Sequence, residues 1–125
     1  MPDPRLLTAA ELELMHVLWA AERALTVQDV VDRLPGRAYT TIATLLKILE
    51  DKGFAMTQRE GRKLLYEPHV HRPEYEGTAV RDIVQRVFSG DAAALIRTLA
   101  QGESLTEYER AMLHYFLAER GEAGS

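Results

Sequence analysis

Thr40, Thr41 and Thr44, with Tyr39 ahead of them and Lys47 one turn on, supply the unusual polar residues of the stretch AYTTIATLLKILEDKGF, Ala38 to Phe54. The stretch reads as a helix, yet Thr is a mediocre helix former whose branched side chain is stiff at χ1. A plain solvated face would carry Glu, Lys or Gln there. Setting Ile42 at zero and advancing about 100° per residue gathers Leu45, Leu46 and Leu49 beside it as the buried side. Thr40, Thr44, Lys47 and Asp51 fall opposite, with Thr41 and Ile48 on the flank.

Short hydroxyl side chains on a helix face suit insertion into the major groove of DNA. A threonine hydroxyl can bond a phosphate or a base edge, while its methyl meets a thymine methyl. The positive amino-terminal end of the helix favours a nearby phosphate, and Tyr39 at that end can reach one through its hydroxyl. Arg62 and Lys63, just past an expected turn at Glu60-Gly61, are placed to grip phosphates beside the groove. Phosphate contacts would then supply affinity and the threonines sequence choice. A competing description fits the same residues: threonines that back-bond within their own helix and are merely tolerated, with Lys47, Arg62 and Lys63 as solvated charges.

Other chemistries find less material. His69, His71 and Glu74 form an H-x-H…E grouping that could hold zinc in an extended segment, where alternate residues share a face. The same residues also read as a plain link into a helix, with Glu74 favoured near the helix start by the dipole. The reading adopted is therefore no metal and no cofactor. His16 and His114 fall within amphipathic helices, at the surface or its boundary. There is no phosphate-binding glycine loop, no H-E-x-x-H and no nucleophile elbow, and the carboxylates are scattered over helix faces, so no enzyme is indicated. The absence of cysteine removes disulfides, Cys-ligated zinc, iron–sulfur clusters and thiol catalysis.

The elements that must hold these residues are clearly punctuated. TAAE, Thr8 to Glu11, fits a capping box, and Leu12, Met15, Leu18 and Trp19 continue a helix from about Ala9 to Ala21. A short extended piece, Ala24 to Thr26, ends on a residue that can cap a second helix carrying Val27, Val30, Val31 and Leu34. Pro35-Gly36 closes it. The third helix runs from near Tyr39 to Gly53, which suits the left-handed position past a helix end. Two extended runs follow around Glu60-Gly61, with Phe54, Met56, Leu64 and Tyr66 expected on one face against the helices. Three helices and a hairpin make a winged helix-turn-helix.

From Pro73 the chain is helical again, with Val80, Ile83, Val84, Val87 and Phe88 as one stripe, then Leu95, Ile96 and Leu99, then Met112 and Phe116 among other apolar residues. Three short apolar helices without a sheet make a poor independent core. They are expected to bury Val80, Ile83, Val84, Val87, Phe88, Leu95, Leu99, Met112 and Phe116 against a second copy of the chain, the alternative being that they fold back on the amino-terminal domain. The expected architecture is mainly α with a small β-hairpin wing: a DNA-binding domain over 1–70 and a helical dimerisation domain over 71–125.

The 125 residues carry a net charge of −4, with 46% apolar and 27% charged residues, as in an ordinary folded protein. The sign is unevenly spread. Between Arg37 and Lys63 six cations (Arg37, Lys47, Lys52, Arg59, Arg62, Lys63) face three anions (Glu50, Asp51, Glu60), whereas from His71 onward anions outnumber cations by nine to six. Recognition of nucleic acid needs one basic face, not a basic total. No apolar run is long enough for membrane insertion, and the start MPDPRLLTAAELELM lacks the pattern of a signal peptide, so the cytoplasm is the expected compartment.

LTAAELELMHVLW, TVQDVVDRL, AYTTIATLLKILEDKGF and GRKLLYEP, in that order and with compatible spacing over about residues 7–68, resemble the successive motifs of the BlaI/MecI/CopY, or penicillinase-repressor, family. The resemblance implies a homodimer that binds a palindromic operator on double-stranded DNA and represses transcription. It puts Tyr39, Thr40, Thr41 and Thr44 in the recognition segment and Arg62 in the wing. Where many members carry a basic residue, this chain has Ile48. Copper-responsive members use a cysteine-rich tail, which this chain lacks. In the β-lactam-responsive members, which this chain resembles over its tail too, a membrane-linked sensor protease cuts an Asn-Phe bond in the dimerisation helices. Alignment puts Thr98-Leu99 at that place, with residues that do not match. The rival from another class is a winged-helix module whose third helix docks a protein.

Overall fold

The computed structural model describes residues 6–124, with the side chains of the last helix described as far as Glu119. The first residues, Met1 to Arg5, read above for a signal peptide, lie outside the described residues. The chain divides into two compact units, Met1–Val80 and Arg81–Ser125.

In the first unit, α1 (Ala9–Ala20) starts at a complete capping box: the Thr8 hydroxyl accepts from the Glu11 N–H, and the Glu11 carboxylate accepts from the Thr8 N–H at 2.8 Å. Thr26 and Asp29 repeat the device for α2 (Val27–Arg33). The third helix, α3 (Tyr39–Asp51), ends in a Schellman turn. Gly53 adopts φ 85°, its N–H bonds to the Glu50 carbonyl, and the Phe54 N–H reaches back to Leu49. Leu49 and Phe54, the apolar pair that usually closes this motif, are both buried.

β1 (Ala55–Glu60) and β2 (Lys63–Pro68) pair antiparallel, Glu60 opposite Lys63, around the two-residue loop Gly61-Arg62. Gly61 at φ 64° fits the first central position of a II′ turn, whose backbone twist matches its strands. Leu25 adds a one-residue third strand, exchanging backbone bonds with Tyr66 at 2.8 and 2.7 Å. The chain before α2 is thereby clamped to the hairpin.

Leu14, Met15, Leu18, Leu25, Val30, Ile42, Leu46 and Leu49 are fully buried and form the core, joined by Phe54, Ala55, Tyr66 and Tyr75. Each aliphatic side chain there contributes roughly 1.5–3 kcal/mol relative to exposure. Met56 does not take part: it is 42% exposed, and Leu65 is buried in addition to Tyr66. The strand begins only at Ala55, because Phe54 belongs to the Schellman turn. The inward phase is thus Ala55 and Thr57, opposite Pro68 and Tyr66, and Met56 points the other way.

α4 (Arg72–Val87) is part of this core at its first turn. Tyr75 is buried, packs edge-on against Trp19 and tilted against Phe54, and accepts the Leu7 N–H on its hydroxyl. Trp19 in turn donates its indole N–H to the Val70 carbonyl at 2.9 Å.

In the second unit, α4 ends at Val87 and a turn at Ser89 and Gly90 follows, Ser89 being the single non-glycine residue at positive φ among those described. α5 (Ala92–Gln101) is capped by Asp91, and α6 (Glu107–Gly124) by a Thr106–Glu109 box. Arg110 of α6 donates to the carbonyls of Ala100 and Gly102, tying the end of α5. No described residue of this unit is buried. Leu113, one turn beyond Arg110, is half-buried, while Tyr108, Met112, Tyr115 and Phe116 share another side of α6 and are exposed.

Candidate nucleic-acid interface

The hydrophobic backing of α3 decides which of its residues are available. Ile42, Leu46 and Leu49 are fully buried and Leu45 is partly buried, so Tyr39, Thr40, Thr41, Thr44 and Lys47 are turned outward, all exposed. Ile48 is half-buried on the flank.

The threonines are not back-bonded. Thr78 and Thr98 each donate a hydroxyl to the carbonyl four residues earlier, at 3.2 and 2.8 Å. Among the described residues the hydroxyls of Thr40, Thr41 and Thr44 have no such partner. With Leu45 these three line a shallow recess of about 280 Å³ on the outer face. Their donors and acceptors are thus left for water or a ligand, and their methyls border a dent of side-chain size. A face of this kind can both hydrogen-bond and make apolar contact with base edges.

Lys47 behaves differently from a free groove-reading cation. Its ammonium lies 3.2 Å from Glu50 and 3.2 Å from Asp51. The bond to Asp51, then that to Glu50, raises the lysine pKa and holds the charged form. Glu50 is itself fixed from the wing: the Thr57 hydroxyl donates to its other oxygen at 2.7 Å. That bond first, then Lys47, lowers the Glu50 pKa.

Two further cations of the basic middle segment are committed inside the unit. Arg37 forms a two-pronged pair with Glu13, both bonds 3.0 Å, tying the entrance of α3 to α1. The hydrogen bond holds Glu13 low and Arg37 high in pKa. Lys52 donates to both oxygens of Glu11 at 3.0 and 2.9 Å, tying the exit of α3 to the start of α1. Glu11 is the buried charged residue of the described chain, 3% exposed. Burial pushes its carboxyl up, but bonds from Lys52 and Thr8 outweigh this and hold it below the ordinary value.

Of the six cations between Arg37 and Lys63, those without an ion pair are therefore on the wing. Arg62 occupies the turn itself and Lys63 opens β2, both exposed and without an ion pair among the described residues. Arg59, exposed and likewise unpaired, stands opposite Leu64 and so on the other face of the hairpin from Lys63. Sequence reasoning counted Arg59 in the basic segment without placing it in the interface. Its position two residues before the turn, on the same hairpin, was the available signal.

His69, His71 and Glu74 are not brought together: no group of three metal-ligating side chains occurs among the described residues. The sharing of a face required an extended chain, but α4 begins at Arg72 and the His71 carbonyl already accepts the Tyr75 N–H. His16 and His114 are exposed. The Thr98–Leu99 bond lies inside α5, with Thr98 exposed and Leu99 half-buried. An open cavity of about 880 Å³ lies elsewhere on the first unit, lined by α1 and α2 residues including His16, Val17, Arg33 and Leu34. No helix among the described residues is long and apolar enough to cross a membrane.

A family model described as penicillinase repressor matches residues 7–119. The chain is 26% identical over 113 residues to the penicillinase repressor of Bacillus licheniformis, covering 88% of each protein. It is 35% identical over 85 residues to an uncharacterized 16.5 kDa protein in the ptsI 3′ region of Latilactobacillus sakei, covering 66% of this chain and 55% of that one. Among solved structures it is similar to an ArsR-like transcriptional regulator from Rhodococcus sp. RHA1, with a TM-score of 0.49 and 20% identity over 81% of this chain and 89% of that one.

Proposed function

The chain belongs to the penicillinase repressor family, and from that premise we propose that this winged-helix transcriptional repressor binds a palindromic operator as a homodimer. It is a regulator and not an enzyme. In this reading Tyr39, Thr40, Thr41, Thr44 and Lys47 face the major groove, and Arg62 and Lys63 hold phosphates beside it, with Arg59 added. The observation that carries the proposal is the outward row of threonine hydroxyls without partners on a helix whose opposite side is wholly committed to the core.

The functional partition follows the two halves: reading over 1–70 and dimerisation over 71–125, with the first turn of α4 anchored by Tyr75. Val80, Ile83, Val84, Val87, Phe88, Leu95, Leu99, Met112 and Phe116 supply the dimer contacts. That view is supported by the absence of any buried described residue beyond Val80 and by the exposure of Val87 and Phe116 at 63% and 52%. Two copies would present their α3 helices to successive major grooves, one helical turn or a multiple apart. The site of action is the cytoplasm, where the operator lies. The releasing signal is an input from outside the domain; cleavage at Thr98–Leu99 by a sensor protease is one form of it, and it requires α5 to open locally first.

The test is selection of duplexes from a random pool by the intact protein, followed by titration of the enriched duplex across salt concentrations. Binding should weaken steeply with salt, and Thr44→Ala should lower affinity for the enriched duplex roughly tenfold or more, one good base contact's share, while leaving random duplex unaffected. A pool that yields no enriched sequence, or salt-independent binding, would instead favour a module that docks protein.

A further inference from the structure

Between the groove-facing side of α3 and the wing stands a chain of three side chains: Thr57 on β1, Glu50 at the edge of α3, and Lys47 on its outer face. Thr57 donates to one oxygen of Glu50 at 2.7 Å, and Lys47 lies 3.2 Å from the other. Glu50 is 29% exposed, whereas Lys47 is 64% exposed. The carboxylate is thus the fixed member and the ammonium the mobile one. Asp51 offers Lys47 a second carboxylate, but its own side chain is 62% exposed and no hydrogen bond from the wing holds it.

We propose that Glu50 is a positioning and specificity-determining residue for DNA reading: anchored from the wing by Thr57, it restrains Lys47 and keeps a negative charge at the groove edge, suppressing binding that lacks sequence choice. The inference rests on the assignment of α3 and the wing as the DNA surface. A lysine free to swing to a phosphate adds affinity for any sequence, because each neutralised phosphate releases counterions regardless of the bases. Discrimination is a difference of affinities, and it improves when the indifferent part is weakened. Glu50 weakens it twice, by occupying the ammonium and by repelling phosphates. The threonines, which carry no charge, lose nothing by its presence. The bond from Thr57 matters because an unfixed glutamate would turn away to solvent as the lysine left. Held from β1, it stays at the edge whichever way Lys47 points, and it couples the angle of the hairpin to the reading helix.

The experiment compares the full-length wild type with Glu50→Gln, Thr57→Val and the double variant Lys47→Ala/Glu50→Gln. Each is titrated over a salt series against a random-sequence duplex and the duplex enriched from a random pool. Glutamine can still accept from Thr57, so the fold is kept and only the charge is removed; unfolding followed by Trp19 fluorescence checks this. Glu50→Gln should tighten binding to random duplex by roughly threefold to tenfold and steepen the salt dependence by about 0.9, one phosphate's worth. The enriched-to-random ratio should fall. Adding Lys47→Ala should return the slope to that of the wild type, and Thr57→Val should lower the ratio and steepen the slope in the same direction as Glu50→Gln but by less. A slope and ratio for Glu50→Gln equal to those of the wild type would overturn the inference alone. So would weaker binding to both duplexes, which would make Glu50 a DNA contact. A wild type without salt-dependent binding would overturn the DNA assignment together with it.

Discussion

Lys52→Ala would strand the carboxylate of Glu11, whose side chain is 4% exposed, at the amino-terminal end of α1. Glu11 would keep the Thr8 N–H at 2.8 Å and lose both bonds from the lysine ammonium. Removing one partner of a buried ion pair costs roughly 3–5 kcal/mol. The Lys52 side chain is 31% exposed, so water screens part of the pair and can enter the space it leaves; about 2 kcal/mol is a fair magnitude after that discount. In a domain of this size such a loss lowers the melting temperature by roughly 8–16 °C.

The origin of that loss can be separated from simple packing by pH. Because Glu11 is held below the ordinary glutamate range, its stabilisation is fully present above the unfolded value, about 4.3. It disappears as pH falls through the lower folded value. The gap between wild type and Lys52→Ala should therefore be widest at neutral pH and close towards acid, where the carboxyl is protonated in both proteins. Urea unfolding followed by Trp19, the one tryptophan, reports the first unit, since its indole holds the Val70 carbonyl there. Lys52→Met, which keeps the apolar stem, should behave nearly as Lys52→Ala does. A gap that is the same at neutral and acid pH, or that Lys52→Met abolishes, would show that the stem and not the charge secures the helix exit.

Arg62→Ala and Lys63→Ala should each flatten the salt dependence of DNA binding by about 0.9, with equal loss on enriched and random duplexes, readable in the same titrations. Truncation after Val80 should leave a folded monomer that binds DNA much more weakly, whereas truncation after Pro68 should unfold at markedly lower urea. The shorter piece lacks the Val70 carbonyl that Trp19 bonds and the buried ring of Tyr75; equal stability of the two pieces would deny α4 its anchoring role. Phe116→Asp should dissociate the proposed dimer in sedimentation of the full-length protein, with little change in the unfolding of the first unit that Trp19 reports.

Local signals in this sequence were easy to read because each is settled within a few residues. The Thr8–Glu11 and Thr26–Asp29 boxes and the glycine after α3 involve partners three to five positions apart. The outward row of threonines follows from helical period alone, and the periodicity that buried Ile42 and Leu49 also fixed Thr40 and Thr44 outside. Met56 is the exception: alternation from Phe54 predicts it inside, whereas Phe54 completes the helix turn and the strand phase begins at Ala55. Links between distant positions left no mark in the sequence. Nothing adjacent to Lys52 predicts Glu11, and nothing adjacent to Arg37 predicts Glu13. Counting charges along a segment treats every cation as available, and only the fold reveals which are spent on holding helices together.

That difference changes where affinity for an anionic partner must come from. Of the six cations between Arg37 and Lys63, Arg37 and Lys52 brace the two ends of α3 against α1, and Lys47 is engaged by Glu50 and Asp51. Those pairings hold the helix at both ends, as the proposed reading role would require, since a base contact would be lost by a displacement of an ångström or so. They also leave its outer face nearly neutral. Arg59, Arg62 and Lys63 remain on a hairpin with Glu60 as its one acid near the tip. On the proposed DNA-binding reading, long-range attraction would act mainly on the wing, which would meet phosphates first and irrespective of sequence, and the threonine face would be tested only once the helix is seated. A chain whose net charge is negative could work this way, because in the proposed reading the two tasks draw on different residues: the wing cations for approach, and uncharged hydroxyls and methyls for choice.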